Sequence, residues 1–518
     1  MVQTRAGAAV TVTAPANVVI TPRVGKSGPG LAAAPVLADT SDLGKALAAA
    51  DLQLAADFDV HLAARAGPTL AANAGEPVTV KVDVKADESA LLLVETQGGV
   101  YAWQYPKTRV RKAPAGLGIA AGGGATLVFE LGAASRAGAG PAFGLKDLKG
   151  SPIWDWVVEK AVGVLRTRVL KFAVGKIEDA VVEHIEGKLK EGLTSLADDD
   201  ATLWRADGTP AKIGACANPP RILLMVHGTF STTTGSFGAL TASAAGQAFL
   251  ETARKDYDAI LGFDHKTLAR SAEQNAQAML DALEPLLPKG AVIDAIAYSR
   301  GGLVYRTFAE VLLPIQRPDV KLGKAAFVAC TNGGTHLAEP HNWESLVDLY
   351  TNIVMASSRV IGALTGAGPL NVIATQVIET IASFVKYFAV VGVTDRRLPG
   401  LADMEPGSAQ IIALNQATGP SDGLADYFAV TSNFKAHFDF EKGITKELEQ
   451  MLLDGVTNRL FQNDNDLVVD TVSMTNFGTR QGRLQNTHVF NYGDREDVYH
   501  TVYFAAPETV EKLKAWLI

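Results

Sequence analysis

VIDAIAYSRGGLVYRTFAEVLL, residues 292–313, decides how the second half of this chain is to be read. An apolar run, VIDAIAYS, ends at Ser299. Arg300 and two glycines, Gly301 and Gly302, follow, and LVYRTFAEVLL then carries apolar residues at helical spacing. A strand that turns sharply into a helix projects the side chain at the turn outward. It needs small residues two positions before and after, so that neighbouring backbone can pass closely. Ala297 and Gly301 meet that size limit around Ser299. In a parallel sheet covered by helices, functional groups gather at the carboxyl ends of the strands, where loops and helix N-termini converge.

Around this stretch, from Pro219 onward, apolar runs alternate with longer helical segments: RILLMVHG, AVIDAIAYS, KAAFVACTN, ADYFAVTSN and NDLVV. The alternation predicts an α/β region, a mostly parallel sheet flanked by helices on both faces. YDAILGFDH places Asp264 and His265 just after a further strand. Adjacent residues cannot face one another as a relay, so this pair is expected to stabilise a loop or wall a cleft.

The first part of the chain has another texture. In EPVTVKVDVKA, Val78, Val80, Val82 and Val84 alternate with Thr79, Lys81 and Asp83 at the period of a half-buried strand. With AVTVTA, ALLLVET and ATLVFEL it predicts a β-sandwich-like domain over residues 1–145. Residues 146–210 are expected to form an amphipathic helical linker, because Leu165, Val169, Ala173, Ile177, Val181, Ile185 and Leu189 recur at steps of four. His184 lies alone within it. The α/β domain is then assigned to 211–518.

Bulk properties exclude several function classes. The 518 residues are 47% hydrophobic and 20% charged, a folded composition long enough for two or three domains. A net charge of -8 without a long basic block excludes a nucleic-acid footprint, so no nucleic-acid partner is expected. Cys216 and Cys330 have no metal-ligand spacing, which leaves a single bridge between them open. The N-terminal residues show no apolar core of a secretory signal, making cytoplasmic the default. VIGALTGAGPLNVIATQVI, the most membrane-like stretch, is broken by Gly366, Gly368 and Pro369.

Ala297-Tyr298-Ser299-Arg300-Gly301-Gly302 resembles the nucleophile elbow of α/β-hydrolase lipases and esterases, with alanine where the usual G-x-S-x-G has its first glycine. RILLMVHGTFS is similar to the strand and His-Gly loop that supply one backbone N–H of their oxyanion hole. The resemblance implies Thr229 or Phe230 for that donor and Arg300 for the other. His227 is then either a loop-shaping residue or a rival base. A serine hydroxyl needs a base oriented by an acid, in the chain order Ser, Asp or Glu, His. The resemblance implies His500, before the final helix, as base, with His488 as the alternative. FQNDNDLVVDTVSM is similar to the family's N-D-G-x-V, which makes Asp466 the acid with Leu467 in place of the glycine; Asp464 and Asp470 stay open. These three aspartates could instead ligate calcium, but no closing glutamate or glycine spacing follows, so no metal is assigned. FVACTNGGTHLAEP, containing His336, and LPGLADMEPGSAQIIALN extend the likeness, which spans Pro219 to Ile518.

Residues 341–395 are unusually apolar, with stripes at Val347, Tyr350, Ile353 and Val354, and at Val377, Ile381, Phe384, Val385 and Phe388. They are expected to form a helical cap, either lining an acyl pocket or adding a core layer or dimer contact. Tyr298, His227, Phe384 and Phe388 are assigned to substrate binding, and the Arg300 side chain is expected to point outward. The combined expectation is a cofactor-free serine ester hydrolase of lipase or esterase type acting on a small-molecule or lipid ester. Contact with a membrane surface through the cap is left open. Thioesterase, amidase or acyltransferase chemistry uses the same triad. The contrasting reading is an idle hydrolase scaffold whose N-terminal domain binds a protein partner.

Overall fold

The computed structural model describes residues 1–23, 39, 41–62, 77–111, 124–132, 151–160, 163–174, 186–204, 219–365, 370–391, 398–417, 424–436, 446–461 and 463–518. Its strands are β1 (Val2–Gly7), β2 (Val10–Ala14), β3 (Val18–Pro22), β4 (Gln53–Leu62), β5 (Val78–Val84), β6 (Glu88–Thr96), β7 (Tyr101–Gln104), β8 (Thr108–Arg111), β9 (Ala125–Leu131), β10 (Val164–Ala173), β11 (Gly192–Ser195), β12 (Arg221–Val226), β13 (Ala259–Asp264), β14 (Val292–Tyr298), β15 (Lys321–Val328), β16 (Asp426–Phe434) and β17 (Leu484–Arg495). The helices are α1 (Asp42–Ala49), α2 (Pro152–Lys160), α3 (Thr233–Phe237), α4 (Ala244–Asp256), α5 (Ala272–Leu283), α6 (Gly301–Arg306), α7 (Leu313–Gln316), α8 (Trp343–Thr365), α9 (Leu370–Val391), α10 (Pro399–Ala402), α11 (Ala409–Asn415), α12 (Lys446–Leu453), α13 (Thr471–Met474) and α14 (Pro507–Leu517).

Alternation in the valine-rich segments builds two antiparallel five-stranded sheets, ordered β1-β2-β5-β9-β8 and β3-β4-β10-β6-β7. Every second residue of β2, β5 and β9 is buried, as the period of two requires when one face meets a core. The four strands expected from AVTVTA, EPVTVKVDVKA, ALLLVET and ATLVFEL are β2, β5, β6 and β9.

The helical linker is corrected. Leu165, Val169 and Ala173 lie on β10, which pairs with β4 on one side and β6 on the other. Steps of four fall on one face of a strand as well as of a helix, so the stripe did not separate the two. Arg166 and Arg168 hold acidic partners around β10. Arg166 bonds Asp57 at 2.6 Å and Arg168 bonds Asp39 at 2.8 Å and Glu95 at 2.7 Å. Ile177, Val181, His184 and Ile185 lie outside the described residues, as do the boundaries at 145 and 210. The linker assignment also took in β11, which belongs to the second region: GLTS has no apolar period of its own and becomes a strand only by pairing antiparallel with β13.

The second region is a seven-stranded sheet, β11-β13-β12-β14-β15-β16-β17, parallel throughout except at β11. Its inner strands β12 and β14 are buried along almost their whole length, because helices cover both faces. NDLVV, expected among the apolar runs, forms no strand. It is a tight loop closed by the single bridge Asn465–Asp470 and by the Asp466 N–H on the Val469 carbonyl at 3.1 Å. α8 and α9 pack on each other above the carboxyl ends of the strands. None of the described helices is long and apolar enough to cross a membrane.

Candidate active site

Ser299 follows the last residue of β14 and has φ +54°, a left-handed conformation that costs a non-glycine residue about 1–3 kcal/mol. The turn is tight enough that a Cβ on Gly301 would lie 2.2 Å from the Val226 carbonyl oxygen, and one on Gly228 would lie 2.6 Å from Ser299 Cβ. Glycine at these two positions is therefore what lets the ends of β12 and β14 approach. Gly302 N–H donates to the Ser299 carbonyl at 3.0 Å as α6 begins.

His500 stands in the loop after β17. Its Nε2 accepts from Ser299 Oγ at 2.9 Å, and its Nδ1–H donates to Asp466 Oδ2 at 2.9 Å. All three side chains are 1% exposed or less. The other carboxylate oxygen of Asp466 accepts the amides of Val468 (3.1 Å) and Val469 (2.9 Å), and Tyr503 O–H reaches Oδ2 at 3.1 Å. The loop shape makes this possible: Leu467 adopts φ +79°, the conformation for which a glycine is suited, and donates its N–H to Asn465 Oδ1 at 2.9 Å. Asp464 points to solvent and pairs with Lys435 at 3.1 Å. Asp470 is buried near this loop, and burial raises its carboxyl above the usual range. His488 bonds the Tyr427 carbonyl at 3.1 Å on β17.

The hydrogen-bonded Ser299, His500 and Asp466 open into a cavity of about 660 Å³, counting its mouth. Thr229, Tyr298, Ser299 and His500 line it from the sheet side, and Tyr350, Val354, Ser357 and Val377 from α8 and α9. Tyr298, assigned to substrate binding, is among the lining residues, and its hydroxyl donates to the His500 carbonyl. Three other assignments are corrected. His227 is fully buried and spent on backbone: Nδ1–H donates to the Gly228 carbonyl at 3.0 Å, and Nε2 accepts the His265 N–H at 3.1 Å. Burial pushes its imidazole down, in keeping with a neutral, loop-shaping ring. Phe384 packs on Phe230 and Trp343, and Phe388 on Trp343 and Tyr105, so both fill the core behind the cavity. The stripe of α9 was right as an apolar face, but its sequence does not tell which neighbour that face meets.

The Arg300 side chain does not point outward. It is wholly buried, with Nε on the Gly400 carbonyl at 3.0 Å and Nη2 on the Arg270 carbonyl at 2.6 Å. Phe230 N–H donates to Thr267 Oγ1 at 3.2 Å, and that hydroxyl donates to Glu186 at 2.6 Å. Glu186 also accepts the amides of Thr267, Leu268 and Ala269, a clasp on the loop after β13 that nothing in the local sequence signals. Asp264 ties its own loop, accepting from Thr194 Oγ1 at 2.9 Å and Thr233 N–H at 2.6 Å. Cys330 is a buried free thiol, whereas Cys216 lies outside the described residues. Among the described residues no cluster of His, Cys, Asp or Glu is arranged to hold a metal ion.

This sheet, parallel except at β11, with a serine on the turn after β14, a carboxylate after β16 and a histidine after β17, has the arrangement of the α/β-hydrolase fold. Residues 191–518, more than half of the chain, match the family model described as Domain of unknown function (DUF7379), and the chain belongs to that family. No curated protein matches it. Similar solved structures include lipase 1 from Pelosinus fermentans, at 13% identity over 57% of this chain and 97% of that one with a TM-score of 0.38. The lipase BlEst2 from Bacillus licheniformis shares 12% identity over 58% and 91% of the two chains, TM-score 0.31. Phospholipase PlaB from Legionella pneumophila shares 16% over 49% and 45%, TM-score 0.30. Likeness at this level says nothing about chemistry, which is read from the site itself.

Proposed function

We propose that the protein is a serine-dependent carboxylic ester hydrolase. The observation that carries this reading is the unbroken chain Ser299 Oγ, His500, Asp466, with 2.9 Å at each link and an open cavity at the serine. Ser299 Oγ attacks the ester carbonyl carbon while its proton passes to His500 Nε2. The carbonyl electron pair moves to oxygen, and collapse expels the alcohol, which takes the proton from His500. Water then repeats the sequence on the acyl-enzyme and frees the acid. Asp466 holds the imidazole in the tautomer that presents Nε2 to the serine and offsets the imidazolium charge.

The oxyanion donors are the amides of Thr229 and Arg300. Thr229 is preferred over Phe230 because the Phe230 N–H is already given to Thr267. Each such donor supplies about 3 kcal/mol at the transition state. Apart from His500, the described residues that line the cavity are hydroxyl-bearing or apolar, with no Lys, Arg, Asp or Glu among them, which favours an ester that is neutral around its reacting carbonyl. α8 and α9 act as the cap over that carbonyl.

The test is hydrolysis of p-nitrophenyl esters from acetate to palmitate by the wild type and Ser299→Ala, with fluorophosphonate labelling alongside. A loss of kcat of about 10⁵-fold or more and loss of labelling in Ser299→Ala are expected. An unlabelled, inactive wild type would instead favour the idle scaffold. An ester-inactive but labelled protein would point to a thioester, amide or acyl-acceptor substrate.

A further inference from the structure

The N-terminal sheets reach the active site through the cap. β7 is an edge strand of its sheet, and its exposed backbone groups are met by side chains of α8. Asn352 Oδ1 accepts the Tyr101 N–H at 2.9 Å, and its Nδ2 donates to the Tyr101 carbonyl at 2.7 Å, as a neighbouring strand would. Asp348 Oδ1 accepts the Trp103 N–H at 2.8 Å, Asp348 Oδ2 accepts the Ser151 hydroxyl, and Thr351 Oγ1 accepts the Trp103 indole N–H at 3.0 Å. Asp348, Thr351 and Asn352 are buried and lie at i, i+3 and i+4, one helical face.

The adjoining face of α8 carries Tyr350, Val354 and Ser357 into the cavity. The Tyr350 side chain lines the same cavity as Ser299 and His500. Its ring stands edge-on to Phe230 at 5.0 Å and to His500 at 6.2 Å. Burial raises the phenol above its ordinary value, so this group stays a donor through the working pH range.

We propose that Tyr350 is a catalytic hydroxyl that donates to Ser299 Oγ, and that β7 of the N-terminal region holds it in register through Asn352 and Asp348. The proposal rests on the serine-hydrolase reading. When Oγ gives its proton to His500 and attacks, negative charge develops on Oγ ahead of the new C–O bond. When the acyl-enzyme breaks down, the bond from Oγ to the acyl carbon breaks, the electron pair returns to Oγ, and His500 gives back the proton. Tyr350 keeps its own proton in both steps and donates to the oxygen that carries the charge. Asn352 and Asp348 are positioning residues: they hold the helix turn on which Tyr350 sits. The N-terminal region thereby completes the hydrolase site rather than serving only as a separate recognition module.

The experiment uses the full chain with p-nitrophenyl butyrate and compares Tyr350→Phe, Asn352→Ala and the double variant. With this leaving group, slowed deacylation limits turnover, so Tyr350→Phe is expected to lower kcat roughly tenfold to a hundredfold with KM unchanged or lower. A pre-steady-state burst of one nitrophenolate per site accompanies it. Asn352→Ala lowers kcat in the same direction, and the double variant is no slower than Tyr350→Phe, because the second change acts through the lost hydroxyl. Asn352→Asp, which keeps the acceptor for Tyr101 N–H and loses the donor, replaces Asn352→Ala if that variant does not fold. Unchanged kcat in Tyr350→Phe overturns the catalytic role, and effects that multiply in the double variant overturn the positioning role. A wild type that no fluorophosphonate labels fails at the serine-hydrolase reading itself, an outcome separable from a labelled wild type with an indifferent Tyr350.

Discussion

The sheet wall of the cavity and its α8 wall are held in place by different means. On the sheet wall, Ser299 and His500 sit directly after β14 and β17 and Asp466 in the tight loop before α13, and backbone contacts fix each one: the close approach at Gly228 and Gly301, two amides on Asp466, and His500 N–H on the Asp466 carbonyl at 3.0 Å. On the opposite wall, Tyr350 and Val354 are carried by α8, whose own side chains Asp348, Thr351 and Asn352 anchor it to the edge strand β7 of another sheet. A short loop on a rigid strand leaves few ways to relax, whereas a helix can shift as a body. Substitutions on the first wall should therefore be abrupt in their effects and those on the second graded.

The sharpest contrast on the sheet wall is between two carboxylates two residues apart. Asp466→Asn should lower kcat for a nitrophenyl ester about 10⁴-fold, whereas Asp464→Asn, at an exposed residue, should stay within about twofold. Equal losses in the two would mean that the register of the acid loop is wrong. Next, Gly301→Ala should cost about 3 kcal/mol in urea unfolding, because the new methyl meets the backbone carbonyls of Val226 and His227 and neither strand end can give way. A neutral Gly301→Ala would show that the elbow is looser than its geometry.

The smallest effect is expected at the α8 anchor. Glu344, one turn before Asp348, has its carboxyl pushed up to about 7 by burial, with Lys107 opposing and Asp155 adding. A folded value above the unfolded one, near 4.5, means the neutral form is the stabilising one. That contribution is complete below about pH 4.5 and is lost as pH rises through about 7. Glu344→Gln, neutral at every pH, should flatten the thermal-stability profile between these limits and raise Tm at pH 8 by roughly 2 °C. A profile that keeps its slope would place the titrating group elsewhere.

The sequence by itself determined the parts that depend on short-range sterics and period. The elbow is legible because a turn this tight tolerates only Ala297 and Gly301 beside Ser299, and β5 because alternation of valines admits one buried face. The order of serine, acid and histidine, with the family resemblance, singled out Asp466 and His500; Leu467 at φ +79° shows why that loop can exist without the usual glycine. Tertiary structure alone decided the rest. Steps of four suit both strand and helix, so β10 required its partners β4 and β6 to declare itself, and β11 has no signal apart from β13. An apolar stripe says that a face is covered and not by what, which is why Phe384 and Phe388 belong to the core while Tyr350, from the neighbouring stripe, lines the cavity at the serine. Those choices depend on contacts between residues far apart in the chain, where no local preference carries the information.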